Sequence, residues 1–156
     1  MQKGDNVKLY QVMYKGEPID GYFVSECGKF FGPQGRLTVQ YPGWSDTNSY
    51  PRITLRGKKY TCHAIMAFTF ISFPEHNRPE NFESLPVEWQ KYIIEMENRY
   101  NVELQVDHIN GDKNDWNISN LRWVTARENQ QYYQKLKRAE KMREMGSLEE
   151  LFMEAA

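Results

Sequence analysis

Asp107 and His108 stand side by side in the run VDHINGDKNDWNISNLRWVTARENQ, with Asn120 and Asn129 downstream in the same stretch. A carboxylate and an amide carbonyl are hard oxygen ligands of the kind Mg²⁺ accepts, and an adjacent imidazole can take a proton from water near neutral pH. Together these side chains suit the one-metal hydrolysis of a phosphodiester. Two protein oxygens leave most of a Mg²⁺ shell to water and substrate phosphate, whereas a structural zinc site would want more His or Cys ligands than this stretch has. Mg²⁺ is therefore the expected cofactor, with Mn²⁺ as a substitute.

Such chemistry needs elements that bring positions 107, 120 and 129 together. NVELQVDHI alternates Val102, Leu104 and Val106 with polar residues, which predicts a half-buried strand ending at Asp107 and His108. NGDKNDWN reads as a loop and NLRWV as the return strand of a hairpin. Thr125 and Glu128 form a T-x-x-E capping box, so a helix should begin at Ala126 and run to about Glu144 before Gly146 stops it. Ser147 and Glu150 form a second box, which predicts a short terminal helix or tail over 146–156.

Upstream, GYFVSECGKFF reads as a hairpin turning at Gly28. Arg52–Leu55 and Lys59–Cys62 read as a second hairpin turning across Gly57, and AIMAFTFI as a short core helix. SLPVEWQKYIIEMENRY predicts an amphipathic helix with Ser84 as its cap, Pro86 in its first turn, and Trp89, Ile93, Met96 and Tyr100 packing on the core. The expected class is α+β: short antiparallel strands and hairpins over 1–73, an inserted acidic amphipathic helix over 74–103, and a strand–strand–helix module over 104–145. One compact domain would hold all of them, a size that 156 residues allow.

Composition narrows the function classes. Apolar residues at 40% and aromatics at 14% exclude a disordered chain. The two cysteines, Cys27 and Cys62, form no CxxC pair, which excludes a zinc ribbon. The N-terminal stretch has no apolar core of signal-peptide length and no uncharged apolar stretch approaches membrane-spanning length, so a cytoplasmic protein without membrane contact is expected. The formal net charge of −1 hides a segregated pattern. Glu75–Glu103 is acidic and should avoid phosphates, while Arg122–Arg143 carries a basic stripe that could follow a nucleic-acid backbone or simply be a solvated helix face.

The segment VDHINGDK…NLRWVT…EN resembles the HNH nucleases, in particular the phage and intron-associated homing endonucleases with a ββα-metal module. GYFVSECGKFF resembles their "yyVSn-GrV" hairpin, of the NUMOD4 type, and YPRITLRGKKYTCHAIMAFTFI resembles their "Y-x-V-x-L…vHrLva-aFi" segment. The resemblance implies a metal-dependent endonuclease acting on double-stranded DNA, with Asp107 and Asn129 as metal ligands, His108 as general base and Asn120 as the residue that holds the hairpin and orients the base. His63 matches the histidine of "vHrLv", although Ala64 replaces the Arg that follows it, and is read as buried or adjacent to the site. Trp116 stands where the family commonly has Asn, and is read first as packing on the insertion and second as stacking on DNA.

Phosphate contacts are expected from Arg52, Arg56, Lys58 and Lys59 in the first half and from Arg122, Arg127, Lys135 and Arg138 in the second. Tyr132 and Tyr133 could stack on bases or anchor the core. Two further readings stand beside the nuclease: a catalytically weak DNA-binding protein of the same fold, and a subunit of a larger phage or defence assembly that docks through the acidic insertion. A homodimer could form through Met96, Tyr100, Leu148, Leu151 and Phe152, which core packing would explain equally well.

Overall fold

A computed structural model describes residues 6–45 and 49–154. It is a mixed α+β fold built from antiparallel strands and three α-helices. Strands β1 (Leu9–Tyr14), β2 (Glu17–Ser25), β3 (Phe30–Gly32) and β4 (Gly35–Arg36) form one antiparallel sheet in that order. Two separate two-stranded hairpins follow, β5 (Arg52–Leu55) with β6 (Lys58–Thr61) and β7 (Gln105–His108) with β8 (Leu121–Val124). The turn between β5 and β6 puts Arg56 and Gly57 at φ 50° and 73°. Two successive left-handed residues twist a two-residue turn to match its strands.

Helix α1 (Cys62–Phe70) is the pivot of the molecule. Apolar almost all round, it is buried as such a helix must be, and Cys62, Ile65, Met66 and Ala67 are at most 1% exposed. Cys62, Ile65 and Met66 cluster with Val12, Val24, Phe30, Ile53, Leu55 and Leu121, so one core joins the first sheet, the β5–β6 hairpin and the β7–β8 hairpin. Each large aliphatic buried this way contributes on the order of 1.5–3 kcal/mol. Polar ties fix the helix further. Thr69 Oγ1 accepts from Met13 N on β1, and Trp123 Nε1 on β8 donates to Ile71 O just past the end of α1. Burial pushes the Cys62 thiol up to about 12, which makes it an inert core group.

Helix α2 (Val87–Val102) departs from expectation at both ends and along its face. Pro86 disfavours helical geometry at Leu85, which is extended at ψ 152°, so Ser84 closes a short 3-10 turn instead of capping α2. Val102 ends the helix rather than opening a strand, and β7 starts only at Gln105. No residue of α2 is buried; of the predicted stripe Trp89, Met96 and Tyr100 are 62%, 46% and 45% exposed and Ile93 is half-buried, so the expected core packing of the stripe is absent. Polar contacts at its edge hold the helix instead: Arg78 makes a two-pronged ion pair with Glu97, and His76 Nε2 bonds Asn101 Oδ1 at 2.9 Å.

Helix α3 (Ala126–Glu154) starts where the capping box predicts. Glu128 N donates to Thr125 Oγ1 and Thr125 N to Glu128 Oε2. The helix then runs through Gly146 without stopping, so the separate terminal helix is not formed. Gly146 is not among the glycines at positive φ, and one glycine inside a helix costs only about 1 kcal/mol, too little to end a run of good helix formers. The side chains of Leu148, Leu151 and Phe152 lie outside the described residues.

Trp116 packs, as expected, but on the first sheet rather than on the insertion. Its Nε1 donates to Gly28 O at 3.1 Å and its ring lies 6.0 Å from that of Tyr41. Gly28 sits at φ 81°, and a Cβ there would overlap the indole. Gly28→Ala is therefore expected to destabilise the fold by more than about 1 kcal/mol, combining strain with a clash. A urea midpoint unchanged from wild type would contradict this latch.

Candidate active site

The β7–β8 hairpin pairs Asp107 with Arg122 and His108 with Leu121. Loop 109–120 between its strands is stapled by one buried side chain. Asn120 Oδ1 accepts from Asn110 N at 3.0 Å, and Asn120 Nδ2 donates to Asn110 Oδ1 and to Asp115 O, each at 2.9 Å. Asn120 is 8% exposed, and its amide spans the base of the loop. It holds the turn directly behind His108 and touches the cleft only through that turn. Asp112 and Asp115 accept backbone N–H groups two residues on, the side-chain turns by which short polar residues shape a loop.

Asp107, His108 and Asn129 open onto one cleft of about 550 Å³, whose walls also include Tyr50, Gln105, Lys113 and Tyr133. One wall is a stripe of α3, with Ala126, Asn129, Gln130, Tyr133 and Leu136 at helical spacing. Asn129 lies in the first turns of α3, where its N–H bonds Thr125 O. Its Nδ2 donates to Gln105 Oε1 at the start of β7, which ties helix to strand through the amide nitrogen rather than the carbonyl oxygen. Asp107 receives Arg122 Nε on Oδ2 at 2.8 Å, and the Arg122 guanidinium lies 3.8 Å from the centre of the Tyr132 ring.

Among the described residues, no group of three or more His, Cys, Asp and Glu is arranged to hold a metal. The cleft therefore does not fit a cage made wholly of protein. Its donor set, one carboxylate and one amide oxygen, fits a hard cation that keeps water and substrate oxygens in its shell. Asp107 and Asn129 are the residues that could hold it.

His108 is 6% exposed. Burial pushes its pKa below the ordinary 6.5, while Asp107, Asp112 and Asp115 pull it back up and Lys113 pushes it down again. Its ring stacks on Tyr50 at 5.6 Å and meets the edge of His63 at 4.9 Å. His63 sits in the first turn of α1, packed against Tyr50 at 4.6 Å. Burial, reinforced by His108, lowers its pKa from 6.5 to about 4.

A histidine held neutral this way makes the fold acid-sensitive. Above pH 6.5 both folded and unfolded states carry neutral His63. Between 6.5 and about 4 only the unfolded state takes up the proton, so stability falls with pH through that window, by roughly 3 kcal/mol in all. Urea titrations at pH 7 and pH 4 should show this loss, and His63→Phe should reduce it.

The other predicted residues are spread over the surface. Arg52, Arg56, Lys58 and Lys59 are exposed on the β5–β6 hairpin, and Arg127, Lys135 and Arg138 are exposed on α3. Arg122 is half-buried against Asp107 and Tyr132, so its charge is spent at the carboxylate. Tyr132 packs beneath it, while Tyr133 is 56% exposed at the cleft wall. Lys113 and Tyr50 line the cleft and were missed by sequence reasoning, with the Lys113 ammonium 4.8 Å from the Tyr50 ring centre. Lys113 carried a signal, a cation inside the loop that follows the Asp-His pair, and Tyr50 stands first in the segment that resembles the "Y-x-V-x-L" pattern.

Comparison with known proteins bears on this hairpin and its helix. Residues 93–131 match the HNH endonuclease family. The HNH segment thus takes in the second half of α2, β7, the stapled loop, β8 and α3 as far as Gln131. It contains Asp107, His108, Lys113, Asn120 and Asn129, while Tyr50 and His63 reach the cleft from outside it. A solved structure described as "DNA binding and cleavage by the HNH homing endonuclease I-HmuI" is similar over 90% of this chain and 68% of that chain, at 22% identity and a TM-score of 0.48. No curated protein matches the chain. Among the described residues, no helix is long and apolar enough to cross a membrane.

Proposed function

We propose that the chain is a metal-dependent HNH endonuclease that hydrolyses phosphodiester bonds in duplex DNA, of the phage or mobile-element homing type. The observation that carries this reading is the single cleft shared by a carboxylate, an amide carbonyl and a buried imidazole, Asp107, Asn129 and His108, within the segment that matches the HNH family. Asp107 and Asn129 would hold one Mg²⁺, or Mn²⁺ in its place. When bound, the ion stabilises charge developing on the leaving 3′ oxygen.

His108, neutral at pH 7, takes a proton from a water as that water attacks phosphorus in line. The new bond joins the water oxygen to phosphorus and the bond to the 3′ oxygen breaks, leaving 5′-phosphate and 3′-hydroxyl ends. Lys113 supplies a positive charge to a phosphate oxygen in the cleft, and Asn120 keeps the loop behind His108 in shape. The exposed Arg56, Lys58, Lys59, Arg127, Lys135 and Arg138 follow the DNA backbone on either side.

Supercoiled plasmid incubated with the protein and Mg²⁺ should be nicked, and EDTA should stop the reaction. Ends that a ligase cannot reseal would contradict the proposed bond cleavage.

A second reading, that the chain works as a subunit of a larger assembly, is favoured by the bare stripe of α2, where Trp89, Tyr92, Met96 and Tyr100 face outward.

A further inference from the structure

Among the described residues, the buried side-chain nitrogens and oxygens without a hydrogen-bond partner are His63 Nδ1 and His108 Nε2. They belong to two rings in contact, 4.9 Å between centroids and 67° between planes, both covered by Tyr50. A buried polar atom left unpaired costs about 1–3 kcal/mol. Two such atoms on adjoining rings are unlike two scattered defects, because each can satisfy the other.

We infer that His63 is a positioning residue for His108: its Nδ1 accepts a hydrogen bond from His108 Nε2–H and thereby holds the base nitrogen of His108 unprotonated toward the cleft. A neutral imidazole has one N–H and one lone pair. If Nε2 of His108 points inward and carries the proton, Nδ1 is the nitrogen with a lone pair for the attacking water. The other tautomer would bury that lone pair and disable the base. An acceptor at Nε2 decides between the two forms, which is how a neighbour's hydrogen bond sets a histidine's chemistry. The two nitrogens are not hydrogen-bonded as the rings stand; a rotation of either ring or one bridging water is required to close the contact, with His63 Nδ1 as the acceptor in both cases.

Other features agree with this assignment. His63 stays neutral near pH 7, because its pKa is lowered to about 4, so it can accept a hydrogen bond where a protonated ring could only donate. The side chain is delivered from the first turn of α1, the most buried helix of the fold, so its position is fixed by the core rather than by the loop. Helix α1 lies outside the HNH segment, so the first half of the chain completes a site whose ligands and base lie in the second.

The inference rests on His108 being the base, and its test separates the two claims. Nitrogen-15 NMR of the imidazoles in wild-type protein should show His108 protonated on Nε2 and His63 unprotonated on Nδ1. His63→Phe keeps a ring but removes the acceptor. It should mix the His108 tautomers and slow plasmid nicking about 10–100-fold in kcat with little change in KM. His63→Asn returns an acceptor near the Nδ1 position and should restore most of both. A proton on His63 Nδ1 or on His108 Nδ1 in the wild type would overturn the inference, even if His63→Phe failed to fold. So would an unchanged His108 tautomer in a folded His63→Phe. If plasmid is never nicked, the nuclease reading fails while the tautomer spectra still decide the contact.

Discussion

His108→Ala is expected to lower plasmid nicking about 10²–10⁴-fold, the usual contribution of a positioned general base. The loss should fall on kcat, because His108 meets the attacking water and binds no remote part of the DNA. The residue is 6% exposed and packed between Tyr50 and His63, so removing its ring leaves a cavity. Circular dichroism and a urea midpoint must therefore accompany the assay, so that inactivity is read from folded protein. His108→Gln fills more of the space and should be nearly as inactive, since an amide is not a base near neutral pH. Metal and DNA affinity should survive in both variants. If either one nicked at the wild-type rate, the proton would be leaving through another group.

Asp107→Ala should have an effect of similar size by a different route. Removing the charged ligand of the proposed site is expected to weaken Mn²⁺ binding by at least about 100-fold, as followed by electron paramagnetic resonance, because even supporting residues around such sites cost 10–100-fold. Cleavage should fall with it and recover in part at high metal concentration. The substitution also strips Arg122 of its partner, although that pair is part-exposed and its loss should cost only about 1 kcal/mol or less. Asp107→Asn keeps the shape and removes the charge, so it separates the ligand role from packing. Asn129→Ala should weaken metal binding by a smaller factor, since a neutral amide contributes less than a carboxylate. Unchanged Mn²⁺ affinity in both Asp107 variants would move the ion elsewhere in the cleft.

Much of this site could be read from the chain because its logic is local. The alternation before Asp107, the Asn- and Gly-rich turn and the Thr125–Glu128 capping box each act within a few residues, and β7, β8 and the start of α3 formed near where those signals stand. Tyr50 and His63 follow a different rule. They reach His108 because α1, which carries His63, packs against the β7–β8 hairpin and because Tyr50, just before β5, lies against both histidine rings; periodicity carries no information about such approaches. Helix α2 shows the opposite failure. Trp89, Ile93, Met96 and Tyr100 have helical spacing, but spacing identifies a face and not the surface that would cover it. Gly146 does not end α3 because a glycine stops a helix only where a left-handed turn follows, and that choice is made by the residues beyond it. Trp116 was legible as a packing residue, yet its partner was Gly28, 88 positions away, whose bare Cα leaves room for the indole.

The most direct test of the central claim is a time course of supercoiled-plasmid nicking in Mg²⁺ by wild-type protein, His108→Ala and Asp107→Ala, all shown to be folded. The account predicts Mg²⁺-dependent nicking by wild type with 5′-phosphate and 3′-hydroxyl ends, a drop of two to four powers of ten in His108→Ala, and loss in Asp107→Ala that added metal partly reverses. Nicking that persisted at the wild-type rate in His108→Ala, or in EDTA, would contradict it.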